Sequence, residues 1–437
     1  MRAGGRFLAL LAPFVAIPCS AAATADLTGE APGVHDAAGE DGPTLTVEET
    51  VARGLSNNPR LGSLETEAGV RSHRVGSLDW IDNPELRVRN STFRRRNSRV
   101  GEVEVGIRWR PPFLGEAGVR RQRKQVALWR RKTEAVRERH WLASRVRRSC
   151  ADVAMYAELV RIAAMRVENE NLRISQIETM VDVGRRSIVY LTKARMAVVE
   201  ARQGHLLSLN ALREEERRLR RLTGISRETR VIPEPLPRIS LDEERLLELA
   251  WANRPELRLA EEERKLALRR RDHESWRMMP QFSFLEASRH FERSDDDWYE
   301  LRFGLELPLF NRNAGNLTGL SLAVSGSELE LVAVRERVAD EVRETLSGYT
   351  EALLARDLTL REGEAIIEGS SQVIAETRDY PTVPADEILE LERTIMDARV
   401  AIAESQRDLA HALYFLYYEL GIEDPGVLQE EGAGDGG

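Results

Sequence analysis

Stretches of this chain recur after a displacement of about 196 residues, and that recurrence limits the fold more than any other feature. Residues 45–59 (LTVEETVARGLSNNP) return as residues 241–255 (LDEERLLELAWANRP), and 241 − 45 = 196. Trp80 and Pro84 return as Trp276 and Pro280, and Gly224 returns as Gly421. Gly106 returns as Gly304, and Pro111-x-Phe113 as Pro308-x-Phe310, with a drift of one or two residues. Tryptophan, proline and glycine held at one spacing over half the chain indicate a duplicated supersecondary unit, which does not bury its apolar faces alone. Each copy reads helix, strand, turn, strand, very long helix, hairpin, long helix. One chain therefore supplies four strands, whereas the smallest barrels need about eight. The strands either pack on helices or are pooled between chains.

The strand pairs alternate in polarity. Val103, Val105, Ile107 and Trp109 interleave with Glu104, Gly106 and Arg108, and Leu301, Phe303, Leu305 and Leu307 interleave with Arg302, Gly304 and Glu306. Period-two alternation places the two sets on opposite faces. Each run approaches the ~9–11 residues of a tilted strand crossing a bilayer. Two readings fit: a transmembrane barrel wall with apolar residues outside, or an ordinary half-buried hairpin. The connections at 94–99 and 289–297 are strongly polar and suit loops in water.

Between residues 115 and 183 the pattern is helical with almost no breakers. Val146, Val153, Val160, Val167, Ile174 and Val181 recur every seven residues, with Cys150, Ala157 and Ala164 expected to fill the seam. Such a repeat predicts left-handed coiled-coil packing. Residues 183–187 break it, and a return helix carries Leu191, Val198, Leu212 and Leu219 to Gly224. The second copy runs from 314 to 378, turns over 379–385 and returns to Gly421. Thin seams suit a chain with 6% aromatic and 31% charged residues better than a broad core does. The net charge of −8 argues against nucleic acid as a partner.

The chain begins with an export signal. Arg2 and Arg6 precede the apolar residues 7–17, and Ala23-Thr24-Ala25 forms a cleavage site before Asp26. Pro18 ahead of Cys19 does not suit lipidation, which wants a small residue there. After cleavage only Cys150 remains, so no intrachain disulfide forms. No other stretch approaches the ~18 consecutive apolar residues of a membrane helix, so a membrane crossing falls to the strands. The organisation is then a signal peptide (1–25), a flexible leader (26–44), a first repeat (45–224), a linker with three prolines (225–240), a second repeat (241–422) and an acidic, Gly-rich tail (423–437).

Together these parts resemble the TolC-like outer-membrane efflux factors over nearly the whole mature chain. The sharpest local likeness is Leu307-Pro308-Leu309-Phe310-Asn311-Arg312-Asn313-Ala314-Gly315-Asn316. It is similar to the P-L-F-[DN]-R-N-x-G-N stretch of the heavy-metal branch, the CzcC and CusC-like proteins. Residues 45–61 also resemble the family's opening. Pro308, Phe310, Asn311, Arg312, Asn313, Gly315 and Asn316 would form a strand-to-helix turn, with Pro308 ending the strand and Gly315 permitting the turn.

The resemblance implies a mainly α fold with a small β part. Three copies would form a twelve-stranded β-barrel continuous with a twelve-helix periplasmic α-barrel. It further implies residence in the outer membrane of a Gram-negative-type bacterium. The partners would be outer-membrane lipid, a periplasmic membrane-fusion adaptor and an inner-membrane pump, expected of the RND type. Gly184, Ser187, Leu191 and Ala194 fall on the family's hairpin-tip pattern and would dock the adaptor. Tyr380-Pro381-Thr382-Val383-Pro384 departs from that pattern at the second tip, and Gly115-Glu116-Ala117-Gly118 departs from the branch pattern at the first strand-to-helix turn.

Catalytic chemistry has no foothold. There is no HExxH, Cys pair, phosphate-cradling glycine loop or nucleophile elbow. The seven histidines (His35, His73, His140, His205, His273, His290 and His411) are scattered without ligand spacing. No catalytic residue, cofactor or metal site is therefore expected. Asp182, Asp386 and Glu387 near the tips would become carboxylate rings under threefold symmetry and could favour cations at the mouth; exposed acids without a gating role are the simpler reading. The expected function is a passive exit duct for heavy-metal cations. A duct for drugs, organic toxicants or secreted substrates is the first alternative, and a structural periplasmic coiled-coil protein the second.

Overall fold

The computed structural model describes residues 43–77, 81–95, 98–232, 235–236, 239, 242–292, 297–309, 314–378 and 385–423. The signal peptide, nearly all of the leader and tail, Trp80, residues 310–313 and the second tip lie outside these.

The duplication is visible element by element. Helices α1 (Val47–Asn57) and α2 (Pro59–Gly76) precede strands β2 (Glu85–Arg95) and β3 (Ser98–Trp109), then helices α3 (Glu116–Asp182) and α4 (Ile188–Thr223). The second copy repeats this as α5 (Glu243–Asn253), α6 (Pro255–Trp276), β5 (Gln281–Glu292), β6 (Trp298–Glu306), α7 (Ala314–Arg378) and α8 (Ala385–Leu420). Two three-residue strands, β1 (Thr44–Thr46) and β4 (Arg230–Ile232), pair in parallel and tie the start of one copy to the entry of the other. The sequence reading places β4 in the linker, and for β1 it puts Thr44 in the leader and the other two residues in the first repeat. Strands this short carry no periodicity to read.

Local chemistry sets the breaks. Thr46 caps α1 in a capping box with Glu49, satisfying two orphan donors reciprocally. Asn58 ends α1 and caps α2, accepting from the N–H of Arg60 and Leu61, while Pro59 takes the first helical position, where its missing donor costs nothing. Gly224 and Gly421 close the two return helices with φ of 70° and 68°. Only a residue without Cβ adopts that conformation freely, so the duplicated glycine marks a duplicated stop.

At 67 and 65 residues, α3 and α7 are each about 100 Å long. The 36-residue helices α4 and α8 cover only the half that ends at the tips. The other half is covered by α2 and α6 on α3, and by α6 on α7. The four long helices pack side by side in the order α4-α3-α8-α7. Because α3 has a neighbour on each side, its buried positions form two seams. Met155, Ile162, Asn169 and Ile177 are buried, Val153, Val160, Val167, Ile174 and Val181 are half-buried, and Ala157 and Ala164 are exposed. The expectation that those alanines fill the seam is thereby corrected.

Two main cores result, one per copy: Leu45, Val51, Leu142, Val146 and Leu219 in the first, and Leu246, Val342, Tyr349, Leu413 and Leu416 in the second. The layer stops at α4 on one side and α7 on the other, and both edges expose apolar residues. Met196, Leu206 and Leu207 stand out on α4, and Leu322, Leu329 and Leu354 on α7. Helix α7 also contains a segment long and apolar enough to cross a membrane, almost all of it unburied. A count of consecutive apolar residues does not find it because Gly, Ser, Thr and the acids Glu328 and Glu330 interrupt the run.

Candidate functional site: an inside-out sheet and the helical tips

The four longer strands form one antiparallel sheet in the order β2-β3-β5-β6. Register places Val105 opposite Val88 and Arg289, and Glu104 opposite Arg89 and His290. The alternation read from the sequence is thus preserved across strands except at Arg289, which shares the apolar face and pairs with Asp297 at 2.7 Å, yet the two faces are inverted relative to a soluble protein. Leu301 is 73% exposed and Phe303 65%, with Leu86, Val88 and Ile107 also exposed. Glu104, Glu286, Ser288 and His290 on the other face are buried. Burying a Val, Leu or Phe side chain stabilises by about 1.5–3 kcal/mol, so these five leave on the order of 10 kcal/mol unrealised in water. That equals the whole stability of a typical domain. Such a face needs an apolar cover.

The polar face is satisfied by ion pairs between strands. Glu286 accepts from Arg108 Nε at 2.8 Å and lies 3.7 Å from Arg87. Glu104 accepts from Arg302 at 2.9 Å and faces Arg89 at 3.5 Å. His290 has Glu102 at Nδ1, Glu300 at 3.0 Å from Nε2, and the Ser288 hydroxyl at 3.2 Å. Its ring stacks on Trp298 at 3.8 Å between centroids. Arg302 also bonds Glu300. Gly106 makes the close approach of β3 and β5 possible, since a Cβ there would lie 2.7 Å from Ser288 Cβ.

Among the described residues, Glu104, His290 and Glu300 form the one group of metal-ligating side chains within mutual reach, their ligand atoms lying within 4.8 Å of one another. The sequence reading saw only scattered histidines. His290 stands 290 − 104 = 186 residues from Glu104, and only strand register joins them. The available signal was the polar phase of the alternation, where every one of these residues falls.

At the far end of the helices, Asp182 is the exposed last residue of α3, and Glu387 is exposed in the first turn of α8, next to Asp386. Gly184 has φ +73°, and Ser187 caps α4 by accepting from Val189 N–H at 3.3 Å. Leu191 and Ala194 are buried against Ile177, so they close the hairpin and present no surface. The exposed apolar groups at this tip are Val183, Ile188, Val189 and Tyr190, which a motif match did not single out. At the strand-to-helix turn, Pro308 lies two residues beyond the end of β6 at Glu306. Gly315 and Asn316 already lie in the first turn of α7, without positive φ at the glycine. The left-handed residue is instead Gly115 at the head of α3, with φ +82°. Phe310, Asn311, Arg312 and Asn313 lie outside the described residues.

Midway along α3 a charged clasp joins the copies. Arg147, 2% exposed, donates to both oxygens of Glu48 on α1 at 2.8 and 2.6 Å and to the backbone carbonyl of Glu423. Burial, with Arg254, Arg139 and Arg147 nearby, lowers the pKa of His140 to about 4. Burial also pushes the Cys150 thiol up to about 12, so it serves as a small apolar group.

The sequence matches no protein-family model and no curated protein. Among solved structures it is similar to CusC, described with transmembrane channel formation, at 16% identity and TM-score 0.67, over 86% of this chain and 92% of that one. It is similar to the outer-membrane channel OprN at 14% identity and TM-score 0.68, over 86% and 89%. The Neisseria gonorrhoeae MtrE outer-membrane channel, solved in its open state, matches at 15% identity and TM-score 0.65, over 86% and 89%. The chain has the fold of these channels.

Proposed function

We propose that the chain is the outer-membrane exit duct of a tripartite efflux system, working as a homotrimer without catalysis. The observation that carries this reading is the inverted sheet: its apolar face suits lipid and its charged face suits a water-filled lumen. Both layers of the protomer are open arcs, ending at β2 and β6 in the sheet and at α4 and α7 among the helices. Unpaired strand edges are templates for further pairing. Copies related by a closed rotation join β6 to β2 and α7 to α4, covering the exposed leucines of both helices. Three copies bring twelve strands, enough for a barrel.

The tips, with Val183, Ile188 and Tyr190 at their surface, meet a periplasmic adaptor that couples the duct to an inner-membrane pump of the RND type. Asp182, Asp386 and Glu387 form the periplasmic constriction. Gly184 and Ser187 hold the docking loop in shape, and Leu191 and Ala194 brace it from inside. Heavy-metal cations are the cargo, on the strength of the Pro308–Asn316 motif likeness.

The experiment is twofold. Detergent-extracted protein is cross-linked and inserted into planar bilayers, where a trimer with discrete conductance is expected. A strain lacking the gene is grown against graded Zn²⁺, Co²⁺, Cd²⁺, Ni²⁺, Cu²⁺ and Ag⁺, with dyes and detergents alongside. Selective metal sensitivity restored by the gene supports the cargo. Sensitivity to dyes and detergents alone replaces it with organic toxicants, and a soluble monomer without conductance ends the duct reading.

A further inference from the structure

We propose that Glu104, His290 and Glu300 bind a divalent transition-metal ion on the polar face of the sheet. The site draws one residue from each of three adjacent strands, β3, β5 and β6. Glu104 lies directly opposite His290 in register, while Glu300 lies opposite Ser288, diagonal to His290. All three therefore project from the same face.

Two carboxylates bracket the His290 ring. Glu102 lies against Nδ1. Glu300 lies 3.0 Å from Nε2, where an ion entering between them takes the place of the proton that joins them. A carboxylate that holds one imidazole nitrogen while the other meets a cation is the usual support of a metal-bound histidine. Trp298, stacked on the ring, restricts it further. His290 is 3% exposed, so its orientation is fixed by packing.

The geometry suits an ion of ordinary size. Metal–nitrogen and metal–oxygen bonds of about 2.0–2.1 Å place neighbouring ligand atoms about 2.9–3.4 Å apart. The His290–Glu300 edge already has that length. The remaining edges lie within 4.8 Å. Arg302 occupies the oxygens of Glu104 and Glu300 and is partly exposed. It swings toward water when an ion takes its place.

Charge favours the exchange. Three carboxylates (Glu102, Glu104 and Glu300) face two guanidiniums, Arg302 and Arg89, and Arg89 stands 3.5 Å from its partner. One imidazole with two carboxylates suits divalent first-row ions, with Cu²⁺ bound most strongly. Soft monovalent ions prefer sulfur, and the four strands contain neither Cys nor Met. The inference deepens the duct reading by naming a cation class for the lumen wall, and it rests on that reading for the site's location but not for binding.

Cu²⁺ is the probe, titrated into the purified full-length protein in detergent and followed by calorimetry and electron paramagnetic resonance. One ion per chain is expected, with a nitrogen ligand in the spectrum. H290Q is expected to weaken binding roughly tenfold or more and to erase the nitrogen signature. E300Q carries the same loss of affinity should H290Q fail to assemble. Strand content and trimer formation are measured on both variants. Stoichiometry and spectrum unchanged in an assembled H290Q or an affinity unchanged in E300Q assign the copper to other groups and overturn the site. Conductance is recorded on the same preparations. Conductance without His290-dependent binding sinks the site and leaves the duct; binding without conductance leaves the site and sinks the duct.

Discussion

Placing an arginine at Phe303 separates a lipid-facing wall from a water-exposed sheet by the sign of its effect. Phe303 lies centrally in the nine-residue strand β6 and is 65% exposed. Strands rise about 3.4 Å per residue, so the centre of a tilted β6 falls near the midplane of a ~30 Å hydrocarbon core. Arginine at that depth costs about 2–4 kcal/mol per chain, a roughly 30- to 900-fold shift in the insertion equilibrium. Tyr299 occupies the same face near the polar loop, where the cost falls to about 0–1 kcal/mol. The assay is the amount of heat-modifiable oligomer in outer-membrane fractions, matched for expression. F303R is expected to deplete it severely and Y299R to leave it almost intact. In a sheet facing water, F303R would instead remove an exposed ring and leave assembly unchanged or improved. Equal yields from both variants would refute the lipid-facing assignment and the wall built on it.

Other expectations rest on separate parts of the fold. Gly106→Val drives a side chain into Ser288 and the Ala287 carbonyl, costing about 1–3 kcal/mol by overpacking; Gly101→Val, where no atom lies within 4 Å, is the control, and oligomer melting in detergent compares them. For His140 the folded pKa, about 4, lies below the 6.5 usual for histidine. The unfolded chain then takes up a proton that the folded chain refuses, and stability falls as pH drops from about 6.5 to 4, by at most about 3 kcal/mol. H140Q is expected to shrink the difference in melting temperature between pH 5 and pH 7.5. Asp182→Ala and Asp386→Ala are expected to raise single-channel conductance and antibiotic leakage, and unchanged values in both would remove these acids from the constriction.

Much of the fold was legible because it is written in punctuation. Asn57-Asn58-Pro59 marked the α1–α2 break, Gly224 and Gly421 marked the stops, and the lack of breakers between 115 and 183 marked α3. The strands were legible from period two, although that pattern left their outward face open to two readings. Helical periodicity said that α3 has a seam but not that it has two, so Ala157 and Ala164 were placed on the wrong side. Motif matching placed Leu191 and Ala194 at a docking tip; burial places them inside the hairpin. The Glu102–His290–Glu300 arrangement was illegible for another reason. It depends on the register of β3 against β5 and of β5 against β6, and no local signal fixes a register between segments so far apart in sequence.

If the chain works as the proposed duct, the continuity of α3 lets the Arg147 clasp serve as a fulcrum. From Arg147 to the end of α3 at Asp182 run 182 − 147 = 35 residues of unbroken helix, an arm of about 53 Å. A tilt of about 10° at the clasp carries the tip sideways by about 9 Å with no helical hydrogen bond broken. In the proposed duct, a mouth widened in this way keeps the helices of the tips intact. Such a tilt also has to shift the α3–α8 contact, where Asn169 donates to Glu392 at 2.9 Å and Arg166 lies 3.7 Å from Asp397.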